Sequence, residues 1–180
     1  MLPTAEAPRA PSSFPLRAAL VLLTVSLFGC DHATKIAAEA SLSHERVVNV
    51  VSGVLELRYV ENHDTAFSLL HTLGIPRTPS LLLAASAIAL VGVVAAWIAS
   101  RKRASATQHV GFALVLAGAL GNVVDRAVRG FVVDFIHLTR WPVFNVADVA
   151  VVAGVLLLGA AALRRRPASP QGPSGPDAAA

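Results

Sequence analysis

Two aspartates, Asp125 and Asp148, stand at the ends of long apolar stretches, each three residues after an asparagine (Asn122 and Asn145). An aspartate at the centre of a membrane-spanning helix costs about 2.5–3.5 kcal/mol on insertion scales, so its presence needs a reason. Two carboxylates at one site of low dielectric constant do not both ionise readily, and they share a proton. One can then take a proton from an attacking water while the other protonates an amide carbonyl. The pair predicts the chemistry of an aspartic protease.

Each of these polar groups also has a structural interpretation. Asn145 and Asp148 have the spacing of an N-cap residue and its capping-box partner at the start of a helix. Asp31 and Lys35 stand four residues apart and could form an ion pair on one helix face, which favours a mainly structural role. Asp125 lies near the C-terminal end of its segment, where the helix dipole disfavours a negative charge. A functional reason is therefore favoured for Asp125.

The same dipole argument assigns protonation states to the pair. Exposed N–H groups at the start of the last apolar segment favour the anion at Asp148, whereas the end of the third segment favours a neutral Asp125. We therefore expect Asp148 to be the base and Asp125 the acid, unless Arg126 turns toward Asp125 and reverses the order.

The composition indicates that these residues belong to a membrane protein. Of the 180 residues, 54% are hydrophobic and 14% are charged, whereas soluble domains have about 45–50% and 25%. The mean hydropathy is +0.62. These values argue against a soluble domain, a disordered chain and a nucleic-acid-binding protein. The single cysteine, Cys30, excludes an internal disulfide scaffold.

Four apolar segments are long enough, or nearly long enough, to cross a bilayer, which takes about 20 residues. They are Ala18–Cys30 extended to about Ala38, Leu81–Ile98, Val110–Val124 and Val143–Leu163. Lysines and arginines cluster before the first segment, after the second and after the fourth. Because basic residues concentrate on the cytoplasmic side, both termini are expected in the cytoplasm. This topology brings Asp125 and Asp148 to the outer interface.

The predicted fold class is an all-α polytopic membrane protein with a small extracytoplasmic β element between helices one and two. The β element is predicted from the β-branched run Val47–Val51 and the partly alternating stretch Val54–Glu61. Three regions are expected along the chain. They are a disordered cytoplasmic N-terminus (1–15), a four-helix membrane domain (16–163) and a basic, then disordered cytoplasmic tail (164–180).

Other chemistries fit the sequence less well. The six histidines lack metal-ligand spacing, and the chain has neither a His-Glu-x-x-His motif nor a Gly-x-Ser-x-Gly elbow. Basic residues before an apolar run that ends at Cys30 also resemble a lipoprotein signal peptide, so the protein could itself be lipidated and processed there. Phe28 is bulky for such a cleavage site. A non-catalytic membrane scaffold is a further alternative.

Four short motifs resemble those of signal peptidase II, the bacterial lipoprotein signal peptidase family. The matching elements are Asp31-His32-Ala33-Thr34-Lys35, Gly121-Asn122-Val123-Val124-Asp125-Arg126, Val133-Asp134-Phe135 and Phe144-Asn145-Val146-Ala147-Asp148. Their order and their placement relative to the apolar segments make the resemblance specific over residues 16–163. A fifth element, Asn62-His63-Asp64-Thr65-Ala66-Phe67-Ser68, has Asp64 where the family has glycine. Aspartate tolerates a positive φ better than most residues, so we expect activity to be retained.

The resemblance implies a membrane aspartic endopeptidase that removes signal peptides from diacylglyceryl-modified prolipoproteins and cuts before the lipidated cysteine. It implies that Asp125 and Asp148 are catalytic, and that the supporting or substrate-binding residues are Asn62, Asn122, Arg126, Asn145, Asp31 and Lys35. It implies neither a metal nor an organic cofactor. The expected protein is a monomer in the bacterial inner membrane with its active site at the outer face. Its expected partners are prolipoproteins and membrane lipid, not nucleic acid.

Overall fold

A computed structural model of the protein describes residues 14–42, 46–64 and 78–164. Within these ranges the chain forms four helices and three strands. The elements, in chain order, are α1 (Phe14–Ser41), β1 (Val47–Val51), β2 (Leu55–Asn62), α2 (Pro79–Ser100), α3 (Ala106–Arg129), β3 (Val132–Leu138) and α4 (Val146–Arg164). All four helices are long and apolar enough to cross a membrane, which confirms the four predicted segments.

Helix α1 extends well beyond the apolar stretch from which it was predicted. Its 28 residues correspond to about 42 Å at 1.5 Å per residue, well above the roughly 30 Å of the hydrocarbon layer. The helix runs through Asp31 and Lys35 without a break, as the sequence required for this segment to reach spanning length. Helix α4 begins later than predicted, at Val146, because Phe144 pairs with Ile136 of β3 before the helix starts.

Helices α3 and α4 pack closely because small residues face each other. A Cβ on Gly118 would lie 2.2 Å from the Ala147 backbone oxygen, and a Cβ on Gly154 would lie 2.6 Å from that of Gly111. Small residues at helix contacts let membrane helices approach closely, where dispersion forces and hydrogen bonds can hold them. The contact places the C-terminal end of α3 beside the N-terminal start of α4. We call this end of the bundle the site end.

The three strands form an antiparallel sheet in the order β1-β2-β3. Strands β1 and β2 confirm the β element predicted between the first two helices. Strand β3 was not predicted and comes from the connection between the last two helices. It pairs with β2, with Val60 opposite Asp134 and Asn62 opposite Val132. The β-branched and aromatic residues on both sides of Asp134 are the sequence signal for this strand.

The sheet packs on the end of α1 through a small apolar core, which contains Ala38, Leu42, Tyr59, Val133 and Phe135. Successive side chains of a strand point to opposite faces of the sheet. Because Val133 and Phe135 face this core, Asp134 between them faces away from it. Strand β3 is buried on both faces over its first four residues. The fold therefore buries one acidic side chain of the sheet beside the helix ends.

Some sequence predictions concern residues outside the described ranges. They include the N-terminal region before Phe14 with Arg9, the tail after Arg164, and the fifth motif from Thr65 to Ser68.

The cluster Arg101-Lys102-Arg103 follows the last turn of α2. Helix α2 starts beside the site end, since Pro79 would lie 3.8 Å from a Cβ on Gly130. The cluster therefore lies at the opposite end of the bundle.

Candidate active site

Lys35 is the buried cation at the centre of the site end. Its side chain is fully buried, and Nζ lies 2.8 Å from Asp31 Oδ2 and 2.9 Å from Asp125 Oδ2. Nζ also donates a hydrogen bond to Asn122 Oδ1 at 3.1 Å. The ion pair predicted between Asp31 and Lys35 is confirmed. The structure adds that the same lysine joins α1 to α3.

Asp125 is held by a second cation besides Lys35. Arg129, one turn further along α3, donates from Nη1 to Asp125 Oδ1, and its Nη2 reaches Glu39 at 3.1 Å. The backbone N–H of Val133 donates to the other carboxylate oxygen at 3.3 Å. Both carboxylate oxygens of Asp125 are thus occupied by partners within the protein. That Asp125 carries the shared proton stays a prediction.

Asp31 joins α1 to the start of α4. Its Oδ1 accepts a hydrogen bond from the Ala147 backbone N–H at 2.8 Å, which satisfies one of the unpaired N–H groups at that helix start. A Cβ on Gly121 would lie 2.6 Å from Asp31 Oδ2. The glycine of the Gly121-Asn122 motif is therefore required by the close approach of this carboxylate.

Asn145 and Asp148 form the predicted capping box. The backbone N–H of Asp148 donates to Asn145 Oδ1 at 2.9 Å, and the backbone N–H of Asn145 donates to Asp148 Oδ2 at 3.2 Å. The cap is also part of the site, because Asn145 Nδ2 donates to Asn122 Oδ1 at 3.2 Å and to Asp134 Oδ1 at 2.7 Å. Asn145 and Asp148 therefore cap helix α4 and also belong to the polar network of the site end.

Asn122 is oriented by its partners. A lysine ammonium group only donates hydrogen bonds, so the amide oxygen of Asn122 faces Lys35 and its Nδ2 faces Asp148. Nδ2 donates to Asp148 Oδ1 at 2.9 Å. Both oxygens of Asp148 thus accept one hydrogen bond from a neutral donor. Asp148 itself is only half-buried, which leaves it accessible from outside the bundle.

Asp134 is the acidic residue that the sequence placed in a motif but gave no role. Its side chain is buried, and Asn62 Nδ2 donates to its Oδ2 at 2.8 Å, opposite the Asn145 bond to Oδ1. Burial, and next the negative charge of Asp148, raise the pKa of Asp134 from 3.8 to about 7, while the two amide donors and Lys35 act in the other direction. Asp134 thus has neutral hydrogen-bond donors and an acidic neighbour, unlike Asp125.

Arg126 and Asp64 lie at the rim of this network. Arg126 Nη2 donates to the backbone oxygen of Asp64 at 2.8 Å, and the Asp64 backbone N–H donates to Asn62 Oδ1 at 2.9 Å. The guanidinium of Arg126 is also close enough to Asp134 and Asp148 to interact with their charges. Among the described residues other than glycine, Arg140 alone has a positive φ. Asp64 therefore needs no glycine-like backbone conformation.

Taken together, the site end contains two acidic centres of different character. Asp31 and Asp125 share the charge of Lys35, so they form an ion cluster between α1 and α3. Asp134 and Asp148 are held by the amides of Asn62, Asn122 and Asn145 and influence each other electrostatically. A pair of this second kind can share one proton and exchange it with a bound water.

Comparisons with known proteins give consistent matches. The family model described as signal peptidase (SPase) II matches residues 23–164. The lipoprotein signal peptidase of Pseudoalteromonas translucida is 38% identical over 143 residues, covering 76% of this chain and 82% of that protein. The lipoprotein signal peptidase of Mycolicibacterium smegmatis is 36% identical over 185 residues, covering 94% of this chain and 74% of that protein. A solved structure titled as a bacterial membrane enzyme has a TM-score of 0.72 and 26% identity, and the match covers 84% of this chain and 94% of that one.

Proposed function

Because the chain belongs to the signal peptidase II family, we propose that it removes the signal peptides of prolipoproteins by an aspartic mechanism in which Asp134 and Asp148 act on the scissile amide. The substrate is a diacylglyceryl-modified prolipoprotein, cut before its lipidated cysteine. The names of the relatives support the substrate class. The aspartic chemistry is supported by the two carboxylates at the site end.

One observation carries the choice of residues. Asp134 and Asp148 are bonded to the same asparagine, Asn145, through its side chain and its backbone N–H respectively. The charge of Asp148 helps to raise the pKa of Asp134 to about 7. Two carboxylates that disfavour each other's ionisation share a proton near neutral pH. Asp148 lies in the first turn of α4, where the helix dipole favours the anion, so the proton resides on Asp134.

The reaction then proceeds with protons in balance. Asp148 takes a proton from a water molecule while the oxygen of that water attacks the carbonyl carbon. Asp134 gives its proton to the carbonyl oxygen. A tetrahedral diol results. Asp148 next protonates the amide nitrogen, Asp134 takes back the hydroxyl proton, and the C–N bond breaks. Both carboxyl groups return to their starting states.

The pairing of Asp125 with Asp148 stays a prediction, and the geometry favours a structural role for Asp125. Its two oxygens are engaged by Lys35 and Arg129. Neither oxygen is therefore free to face a second carboxylate. The side-chain donors that contact Asp134 are instead the neutral amides of Asn62 and Asn145.

Three variants distinguish the two pairings. Cleavage of a lipidated precursor in proteoliposomes, normalised to the folded fraction, should fall by several orders of magnitude in Asp148→Asn and Asp134→Asn. Asp125→Asn should lower the thermal unfolding midpoint while the folded fraction still cleaves. An active Asp134→Asn beside a stably folded but inactive Asp125→Asn would overturn the assignment and support the original pairing.

The placement in the membrane is part of the proposal. Both termini lie in the cytoplasm and the site faces the outer side of the bacterial inner membrane, and the protein acts as a monomer. The basic cluster Arg101-Lys102-Arg103 at the end opposite the site supports this orientation. Reporter fusions after Arg103 should report the cytoplasm, and fusions near Gly53 the outer side. The reverse pattern would place the site on the wrong side for an exported substrate.

Two other functions make different predictions. A non-catalytic scaffold would keep its biological role when Asp134 and Asp148 are both replaced. A self-lipidated protein processed at Cys30 would lose residues 1–29, which the intact mass of the purified chain would reveal. Cys30 lies inside α1 directly before Asp31, which reaches α4. This position supports an intact first helix.

A further inference from the structure

The sheet ends in an exposed apolar surface, far from the site. It consists of Val50, Val51 and Val54 around the β1–β2 turn, of Leu138 at the end of β3 and of Trp141 beyond it, and we call it the apolar tip. Each valine is 50–54% exposed, Trp141 is 55% exposed and Leu138 is 38% exposed. Turns that face water are usually built from glycine, proline, asparagine, aspartate and serine. Three exposed valines around Gly53 are therefore unusual for a turn that faces water.

Hydrogen bonds make the two segments of the apolar tip one unit. Thr139 donates from Oγ1 to the backbone oxygen of Gly53 at 2.6 Å and from its backbone N–H to that of Val54 at 3.0 Å. Strand β2 leads from Leu55 beside the tip to Asn62 at the site. At about 3.3 Å per residue, the two ends are roughly 23 Å apart. The tip is therefore a separate surface from the site.

The two segments of the apolar tip carry charge of one sign. Residues 50–54 and 138–142 contain no acidic residue and one cation, the exposed Arg140. Arg140 adopts a φ of 68°, a conformation that costs an arginine more than a glycine or an asparagine. A tryptophan beside a basic residue is typical of segments that lie at the membrane–water interface.

We propose that the apolar tip inserts into the interfacial layer of the same bilayer that the four helices cross, with Arg140 on the lipid phosphates. The sheet is then held at two places. Its apolar core packs on the membrane helix α1, and its tip contacts the bilayer. This second anchor keeps the sheet against the bilayer surface. It does so whichever carboxylates perform the cleavage.

The two tryptophans of the chain allow a direct test. Trp97 bonds to His109 at the opposite end of the bundle, so Trp97→Phe leaves Trp141 as the sole reporter. We expect blue-shifted emission from Trp141 in phosphatidylethanolamine–phosphatidylglycerol vesicles. Lipids brominated near the headgroup should quench it more than lipids brominated deep in the chain. If brominated lipids do not quench the emission of Trp141, the proposal is overturned. This holds whether iodide quenches Trp141 from the water or a second protein shields it.

Matched variants on the Trp97→Phe background separate insertion from folding. Val51→Asp with Val54→Asp places two charges at the tip and should abolish bromolipid quenching of Trp141. Val47→Asp, a comparably exposed valine of the same sheet outside the tip, should leave the quenching intact. The thermal unfolding midpoint of each variant verifies the fold. Equal quenching in both variants would contradict a role of the tip in membrane contact.

Discussion

Lys35 and Asp125 form an ion pair between α1 and α3, with 2.9 Å between Nζ and Oδ2 and with side chains that are 0% and 1% exposed. Asp31 shares the same ammonium group at 2.8 Å. Removing one member of a buried pair leaves an uncompensated charge and costs about 3–5 kcal/mol. The pair thus explains how an aspartate is retained at the C-terminal end of an apolar helix.

Replacement of Lys35 by methionine should strongly destabilise the fold. It leaves the carboxylates of Asp31 and Asp125 without their shared cation, so we expect a loss on the order of 3–5 kcal/mol. Thermal unfolding in detergent, followed by circular dichroism, measures the change. Lys102→Met is the matched control, because Lys102 is exposed after α2. Equal unfolding midpoints for the two variants would refute a structural role of the buried pair.

The proposed acid predicts a pH dependence of turnover. Asp134 must be protonated to act, and its pKa is raised to about 7, so turnover should fall as the pH rises through about 7. The amide of Asn62 stabilises the anion of Asp134. Asn62→Ala should therefore lower turnover at its optimum, leave residual cleavage and move the alkaline limb of the kcat profile to higher pH.

A matched sheet variant separates this effect from a general disturbance of the sheet. Glu56→Gln changes a residue that contacts His137 on the neighbouring strand and should leave the alkaline limb in place. A limb that moves to lower pH in Asn62→Ala would show that the titrating group is not Asp134.

The close contact of α3 and α4 predicts an unequal response of two glycines to alanine. Gly118→Ala places a methyl group 2.2 Å from the Ala147 oxygen, whereas Gly92 on α2 has nothing within 4 Å of its added Cβ. We expect Gly118→Ala to lower both the unfolding midpoint and turnover. Gly92→Ala should be neutral or slightly stabilising, since alanine favours a helix. A harmless Gly118→Ala would mean that the helices can separate without affecting the site.

Replacement of Asp64 by glycine should leave the enzyme active. The two described bonds of Asp64 to Arg126 and Asn62 use its backbone atoms, which glycine also has. Its φ is not positive, so glycine gains no conformational advantage and the folded state loses a little stability through chain entropy. Cleavage and unfolding should both be measured. Complete inactivity would assign a role to the side chain of Asp64.

The sequence alone was sufficient for features that depend on local spacing or on the bilayer. Segment length and hydropathy determine the four helices, because every spanning backbone must satisfy its own hydrogen bonds in lipid. The capping box of Asn145 and Asp148 and the ion pair of Asp31 and Lys35 follow from separations of three and four residues. The β-branched run at Val47–Val51 likewise predicted a strand that the structure contains.

The tertiary structure decided how the acidic residues divide into two groups. One cation at Asp125, Arg129, was visible at a spacing of four residues, but the other, Lys35, comes from a different helix. The orientation of Asp134 depends on the pairing register of β3, and a shift by one residue would turn it to the opposite face of the sheet. Register is set by contacts with β2 and α1 that are distant in sequence. No local pattern around Asp134 contains that information.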